Sequence, residues 1–259
     1  MHTLFLRLEG PLQSWGLRAR WGERDTASEP TKSGVIGLLG CCLGLRRDSS
    51  ELQHLSQALH MGVRVDSPGV LLRDYHTTGG GTFGGRRHDG KALFHDNNYV
   101  GGVLSAEVNP KGRIYVKVNE ATKLPETDVS NRYYLADASF LVALQGPAAL
   151  LERCEQAIAD PVWPYFLGRK SCVPSVPILA GSGDYPDLQT ALEQQPIPQR
   201  WAEQIRGPIR LLIEVELGQG NHQNDAIGNA ARRVFHPRAV REYFWQVPNL
   251  QPSINTLEG

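Results

Sequence analysis

Three groups of side chains in this sequence carry chemistry. Thr31, Lys32 and Ser33 stand just before an uncharged run, Gly34 to Leu45. At the start of a helix the unpaired backbone N–H groups and the positive end of the dipole favour an anion. In Trp163-Pro164-Tyr165-Phe166-Leu167-Gly168-Arg169-Lys170-Ser171-Cys172, two adjacent cations follow aromatics and a glycine; such cations hold a phosphate and such rings stack a base. His76, His88 and His95, with Tyr75, Lys91 and Lys32, supply the types used in acid–base chemistry, because a histidine takes up a proton and a lysine stabilises developing charge.

Each group also has a plainer reading. Thr31 or Ser33 serves as an N-cap, with the glycines there for helix-on-sheet packing. The aromatic and basic run is a surface turn over an aromatic cluster, and no spacing fixes the histidines together. A P-loop is excluded, since its Lys-Ser/Thr follows the glycine loop, whereas here Thr31-Lys32-Ser33 comes first. Asp74, Asp89, Asp96 and Asp137 are scattered, and there is no His-x-x-x-His or paired-cysteine spacing, so no metal and no cofactor is expected. Cys41, Cys42, Cys154 and Cys172 form no evident disulfide framework and are expected to be reduced and buried.

Positioning these groups requires regular elements. Thr3 to Glu9 alternates Leu4, Leu6 and Leu8 against Thr3, Phe5, Arg7 and Glu9, a strand that Gly10-Pro11 should end. The loop after it holds Gln13, Ser14, Trp15, Gly16, Arg18, Arg20 and Trp21. A buried helix then starts at Thr31, with Gly34, Gly37, Cys41 and Gly44 on one stripe for close approach. A second helix is expected over Ser50 to His60, and strands at Met61 to Val65 and Val70 to Tyr75 joined by an Asp66-Ser67-Pro68-Gly69 turn. The glycine-rich Gly79 to Gly90 cannot be core.

Val103 to Val108 and Arg113 to Val118 flank Asn109-Pro110-Lys111-Gly112, a hairpin signal that sets Arg113, Tyr115 and Lys117 on one face. That face suits either a nucleic acid or solvent. A strand from Arg132 to Leu144 and a helix from Pro147 to Ala159 follow. Beyond them come a short helix at Leu188 to Gln194, a strand at Ile209 to Leu217, a loop at Gly218 to Ala231, and an arginine-rich stretch at Arg232 to Val247. Repeated β–α–β order with an inserted hairpin points to an α+β, RRM-like (ferredoxin-like) sheet.

The chain has 259 residues, with 41% hydrophobic and 21% charged content, the composition of a folded domain or two. Lysine plus arginine and aspartate plus glutamate both number 27, a balance that argues against indiscriminate nucleic-acid binding but leaves room for a local basic groove. Arg7 interrupts the apolar start, so no signal peptide is expected, and no run approaches a membrane span; a cytoplasmic location without membrane contact is expected.

The succession LFLRLEGPLQSWG, PTKSGVIGLLGCCLGL, LLRDYHTT, RYYLADASFLVAL and YFLGRKSC resembles the subtype E branch of the Cas-five family, found in the type I-E CRISPR surveillance complex Cascade. The likeness covers most of Met1 to Ala180. It implies an RRM-like domain at 1–180 with a thumb inserted at about 77–131, and a small β-rich extension at 181–259 completing the sheet. The implied role is a non-catalytic subunit in antiviral defence that grips the five-prime handle of the CRISPR RNA and caps one end of the complex. It would contact the backbone subunit CasC and the large subunit CasA, and meet target DNA through the assembly.

Carried over by position, the implied RNA-binding set is Gln13, Ser14 and Trp15 after the first strand and Thr31, Lys32 and Ser33 at the helix entry. Arg73, Tyr75 and His76 lie at the thumb's root, Arg132 on its return side, and Arg169, Lys170 and Ser171 complete the set. The segment from His76 to Arg132 is longer than the family's, so the hairpin near Asn109 is either the thumb or an added insertion, which leaves Arg113, Tyr115 and Lys117 open. Some relatives from another subtype cut precursor CRISPR RNA without a metal, and that endoribonuclease is the alternative. In the subtype resembled here, processing belongs to CasE, and no catalytic residue is expected.

Overall fold

Period-two alternation at the amino end becomes β1 (His2–Gln13) in the computed structural model, which describes residues 1–17, 22–78, 106–108, 114–116, 128–229, 232 and 234–248, with backbone alone at 77–78, 106–108, 114–116 and 128. After β1 come β2 (Glu23–Arg24), α1 (Lys32–Cys42), α2 (Glu51–Ala58), β3 (His60–Ser67) and β4 (Val70–Thr78). The middle of the chain gives β5 (Ala106–Val108), β6 (Ile114–Val116), β7 (Asp128–Gln145) and α3 (Ala148–Ala159). Then follow β8 (Leu179–Asp184), α4 (Leu188–Gln194), α5 (Gln199–Ala202), β9 (Ile209–Val215), β10 (Asn221–Asn229) and β11 (Val234–Trp245).

The chain divides into two units. The first comprises Met1–Arg18, Asp25–Leu72 and Tyr133–Gly259; the second comprises Ala19–Arg24 and Arg73–Arg132. In the first, the sheet runs β10-β11-β9-β3-β7-β1-β8, with every one of these pairings antiparallel. Leu4, Leu6 and Leu8 of β1 and Phe140, Val142 and Leu144 of β7 face a core with α1, α2 and α3. Phe5, Leu141 and Ala143, one residue out of step, face a second core with Leu188, Ala191 and Leu192 of α4. The sheet is therefore covered on both faces, an α+β arrangement in which strand alternation sorts side chains between two helical layers.

Coverage on both faces explains where β1 departs from expectation. Its mixed face carries Thr3, Arg7 and Glu9, yet Thr3 and Glu9 are buried. Thr3 accepts from Gln145 Nε2 at 3.1 Å, Arg7 pairs with Asp66, and Glu9 accepts from Ser139 Oγ at 2.8 Å and Trp201 Nε1 at 2.6 Å. A buried polar group persists when its hydrogen bonds are met. Nor does Gly10-Pro11 end the strand: Gly10 stays opposite Ala138 and Leu12 opposite Ala136. A side chain on Gly10 would put its Cβ 2.7 Å from the Val173 carbonyl oxygen, so this glycine serves a close approach.

Other expectations need correction. Gly218 to Ala231 contains β10, not a loop, since Asn221 to Asn229 pairs with β11 and the Ile227 N–H donates to Ser56 Oγ of α2 at 2.8 Å. β8, with the glycine-rich sequence LAGSGD, lay outside any expected strand. The Asp66-Ser67-Pro68-Gly69 turn does not join a hairpin, because β3 and β4 each pair with β7. The expected glycine stripe is uneven: Gly34 meets the Trp15 ring and Gly44, beyond the end of α1, meets Val162, while Gly37 has open space. Gly79 to Gly90 lies outside the described residues.

All four cysteines are free thiols. Burial pushes the Cys42 thiol up to about 12 and the Cys154 thiol up to about 11, and the thiolate is the reactive form. At pH 8 the folded chain is expected to leave both unmodified by iodoacetamide, whereas the urea-unfolded chain reacts at both. Peptide mass mapping reads the result, and alkylation of Cys42 in the folded chain would contradict it.

In the second unit, Glu23 and Arg24 of β2 pair in parallel with Asn131 and Arg132 of β7. The hairpin expected around Asn109 is present as β5 against β6, with Glu107 opposite Tyr115. Arg113 and Lys117, and the side chain of Tyr115, lie outside the described residues. Among the described residues no helix is long and apolar enough to cross a membrane.

Candidate nucleic-acid interface

Three backbone segments of the first unit meet around Trp15. The Trp15 carbonyl accepts from Ala27 N at 2.8 Å, and its N–H donates to Thr26 Oγ1 at 2.8 Å. Ser14 N donates to the Leu167 carbonyl at 3.0 Å. The indole lies against Gly34, where an added Cβ would be 2.8 Å from Cε3. Indole Nε1 donates to Gln13 Oε1 at 3.1 Å, and Gln13 Nε2 donates to the carbonyls of Leu8 and Ala138. Gln13 and Trp15 are thus 0% and 1% exposed. They support the loop from beneath and do not present side chains at its surface.

Thr31 is the N-cap of α1, its Oγ1 accepting from Gly34 N at 3.3 Å. The anion expected at this helix entry is supplied by the chain itself, because Lys32 N donates to Asp225 Oδ2 at 2.8 Å. Asp225 is also held by Arg238 Nε at 2.5 Å and Nη2 at 3.0 Å. Lys32 Nζ donates to both oxygens of Glu214, at 2.7 and 2.9 Å, and is 3% exposed. Burial pulls the Lys32 ammonium below its ordinary range and the Glu214 carboxylate pulls it back up. Lys32 therefore closes a buried cluster of two cations and two carboxylates. Ser33 is half-buried.

The run Trp163 to Cys172 caps one end of α1 and reaches the loop after β1. Val162 N and Trp163 N donate to the carbonyls of Cys42 and Cys41 at 2.9 and 3.2 Å. Leu167 and Cys172 are buried and close a turn, Leu167 N donating to the Cys172 carbonyl at 2.8 Å. Gly168 takes φ +96°, and a Cβ there would overlap the Ser14 carbonyl oxygen, so only glycine fits. Arg169 lies 4.6 Å over the Tyr134 ring and donates to the carbonyls of Tyr133 at 3.1 Å and Asp25 at 3.3 Å. Lys170 and Ser171 project at the tip, both exposed. Lys170 forms no ion pair among the described residues.

In the second unit, Arg73 Nε donates to Asn131 Oδ1 at 3.0 Å, Tyr75 is 63% exposed, and His76 Nδ1 lies 3.5 Å from Asp74 Oδ2. Arg132 is half-buried with its Nε unpartnered. Arg18, Arg20, Trp21, His88, Lys91 and His95 lie outside the described residues. Among the described residues no three His, Cys, Asp or Glu side chains gather as metal ligands do. Sequence reasoning missed Asp25 and Thr26, which brace the Trp15 loop, and Asp225, which lies 193 residues from Lys32; neither pairing leaves a local pattern.

The sequence profile of the family described as CRISPR-associated protein (Cas_Cas5) matches residues 3–246. CasD, a CRISPR system Cascade subunit of Escherichia coli strain K12, is 35% identical over 202 residues, which make up 73% of this chain and 75% of that protein. A Cas protein solved as a crystal structure is 34% identical, with a TM-score of 0.62 over 95% of both chains. A chain of a CRISPR RNA-guided surveillance complex is 30% identical, with a TM-score of 0.69 over 95% of this chain and 91% of its own length.

Proposed function

We infer the role of this chain from one premise: it belongs to the CRISPR-associated Cas5 family. It is a non-catalytic CRISPR RNA-binding subunit of Cascade that grips the five-prime handle of the guide and caps one end of the complex, beside CasC and CasA. Target DNA is met only through the assembly. The observation that carries this reading is the seated turn at Gly168 to Cys172, which projects Lys170 and Ser171 while Arg169 holds the turn down. A rigid cationic tip of this kind positions a phosphate without dictating sequence. Ser14 abuts Gly168 from beneath the turn; like Gln13, Trp15, Thr31 and Lys32 it is buried and acts from the interior, whereas Ser33 at the entry of α1 is half-buried.

The order β8-β1-β7-β3, with helices after β1 and β7, supports an RRM-like core in the first unit, completed by β9 to β11 as the extension after residue 180. We read the second unit as the thumb, offering Arg73, Tyr75, His76 and Arg132. The endoribonuclease alternative is not favoured, since Lys32 is committed to Glu214 and His76 has only Asp74 as a described acid–base neighbour at close range.

Lys170→Gln in the assembled complex should weaken handle binding uniformly across sequences. Its plot of log affinity against log salt should be shallower by about 0.7–1, the slope of one lost phosphate contact. Fluorescence polarisation with labelled repeat RNA reads both values, and gel analysis of the same samples should show intact RNA. An unchanged affinity and slope would make the tip ordinary surface; cleavage lost in His76→Ala would establish the enzyme.

A further inference from the structure

We propose that Thr26 is a positioning residue of the handle site, which rests on the reading of the Gly168 to Cys172 turn given above. Its hydroxyl does two things at once. Oγ1 accepts from Trp15 N at 2.8 Å and donates to the Ala27 carbonyl at 3.0 Å, while Ala27 N returns a bond to the Trp15 carbonyl at 2.8 Å. The neighbouring Asp25 extends the brace: its Oδ1 accepts from Leu17 N at 3.1 Å, and its carbonyl accepts from Arg169 Nη2 at 3.3 Å. On the opposite side of the loop, Ser14 N donates to the Leu167 carbonyl and the Ser14 carbonyl abuts Gly168.

Residues 14–17 are therefore held between residues 25–27 and the turn that carries Lys170. The two outer layers are joined directly through Arg169. Thr26 touches no exposed cation itself. It sets the height of the Trp15 backbone, and through Ser14 it sets the seat of Gly168, so a shift at Thr26 moves the tip that meets phosphate. A hydroxyl is required because the Trp15 N–H needs an acceptor at that point, and an unmet buried donor would draw the loop toward water.

Thr26→Val keeps the shape and removes the oxygen, while Thr26→Ser keeps the oxygen. In the assembled complex, Thr26→Val is expected to weaken handle RNA binding about 10-fold, the scale of one lost part-buried hydrogen bond, and Thr26→Ser to restore it. The test that a merely structural role would not pass is the double variant. With Thr26→Val already present, Lys170→Ala should cost far less additional affinity than it costs alone, because the lysine is already out of place. Circular dichroism and melting of each complex check that the fold persists. If Thr26→Val binds as wild type, or if its effect simply adds to that of Lys170→Ala, the positioning role is overturned while the handle reading stands on Lys170→Ala alone. If neither Thr26→Val nor Lys170→Ala weakens binding, the handle reading is overturned and the positioning role with it.

Discussion

Glu214→Gln should lower the unfolding free energy by about 3–5 kcal/mol, the cost of leaving a buried charge without its partner. Glu214 accepts both bonds from the Lys32 ammonium, accepts from Met61 N at 3.0 Å, and stands 3.9 Å from Arg238 Nη1. Glutamine keeps an acceptor for Met61 but removes the charge that offsets two buried cations. Lys32 already sits in surroundings that disfavour its charged form, so without Glu214 it must shed its proton or draw water into the core. Urea unfolding measures the loss. Adding Lys32→Met to Glu214→Gln should recover most of it, because it removes the buried charge that Glu214→Gln leaves without a partner. A loss below about 1 kcal/mol would place the cluster on the level of surface ion pairs.

Gly168→Ala should cost about 2–4 kcal/mol, combining left-handed backbone strain with the lost Ser14-to-Leu167 bond. The added methyl cannot be accommodated by a rotamer change, since it would overlap a backbone carbonyl. Either the turn or the loop after β1 must move, and Arg169 cannot keep both the Tyr133 and Asp25 carbonyls in range once it does. Handle affinity should therefore fall further in Gly168→Ala than in Lys170→Gln, although residue 168 offers no charge to RNA. Gly37→Ala is the control, with open space around it; it should leave affinity unchanged and, at an interior helical position, should not destabilise. Equal affinities for Gly168→Ala and Gly37→Ala would remove the seat from the account.

Much of the scaffold was readable because it depends on local rules. Leu4, Leu6 and Leu8 alternate, so β1 was expected, and Asp187 before Leu188 caps α4 where the helix was placed. Thr31 announced the start of α1 for the same reason. What escaped depends on distant partners. The polar segment Asn221 to Asn229 reads as a loop until β11 pairs with it and Asp225 enters the core. Lys32 reads as a phosphate ligand because a cation at a helix entry has that chemistry, and only Glu214 and Asp225, far along the chain, redirect it inward. Gln13 and Trp15 share this fate: their residue types single out the loop after β1, but burial turns both side chains inward. The Gly168-Arg169-Lys170 run stands out in the sequence by its residue types, while Tyr134 and two carbonyls far along the chain are what hold Arg169 down.

A photoreactive benzoylphenylalanine at Ser171 of this subunit, assembled into the complete complex with five-prime-labelled CRISPR RNA, reports whether the tip meets the handle. Irradiation should join the subunit to nucleotides of the five-prime handle, mapped by reverse-transcription stops. Crosslinks confined to the spacer or the three-prime end, or none in a complex that has assembled fully, would contradict that contact.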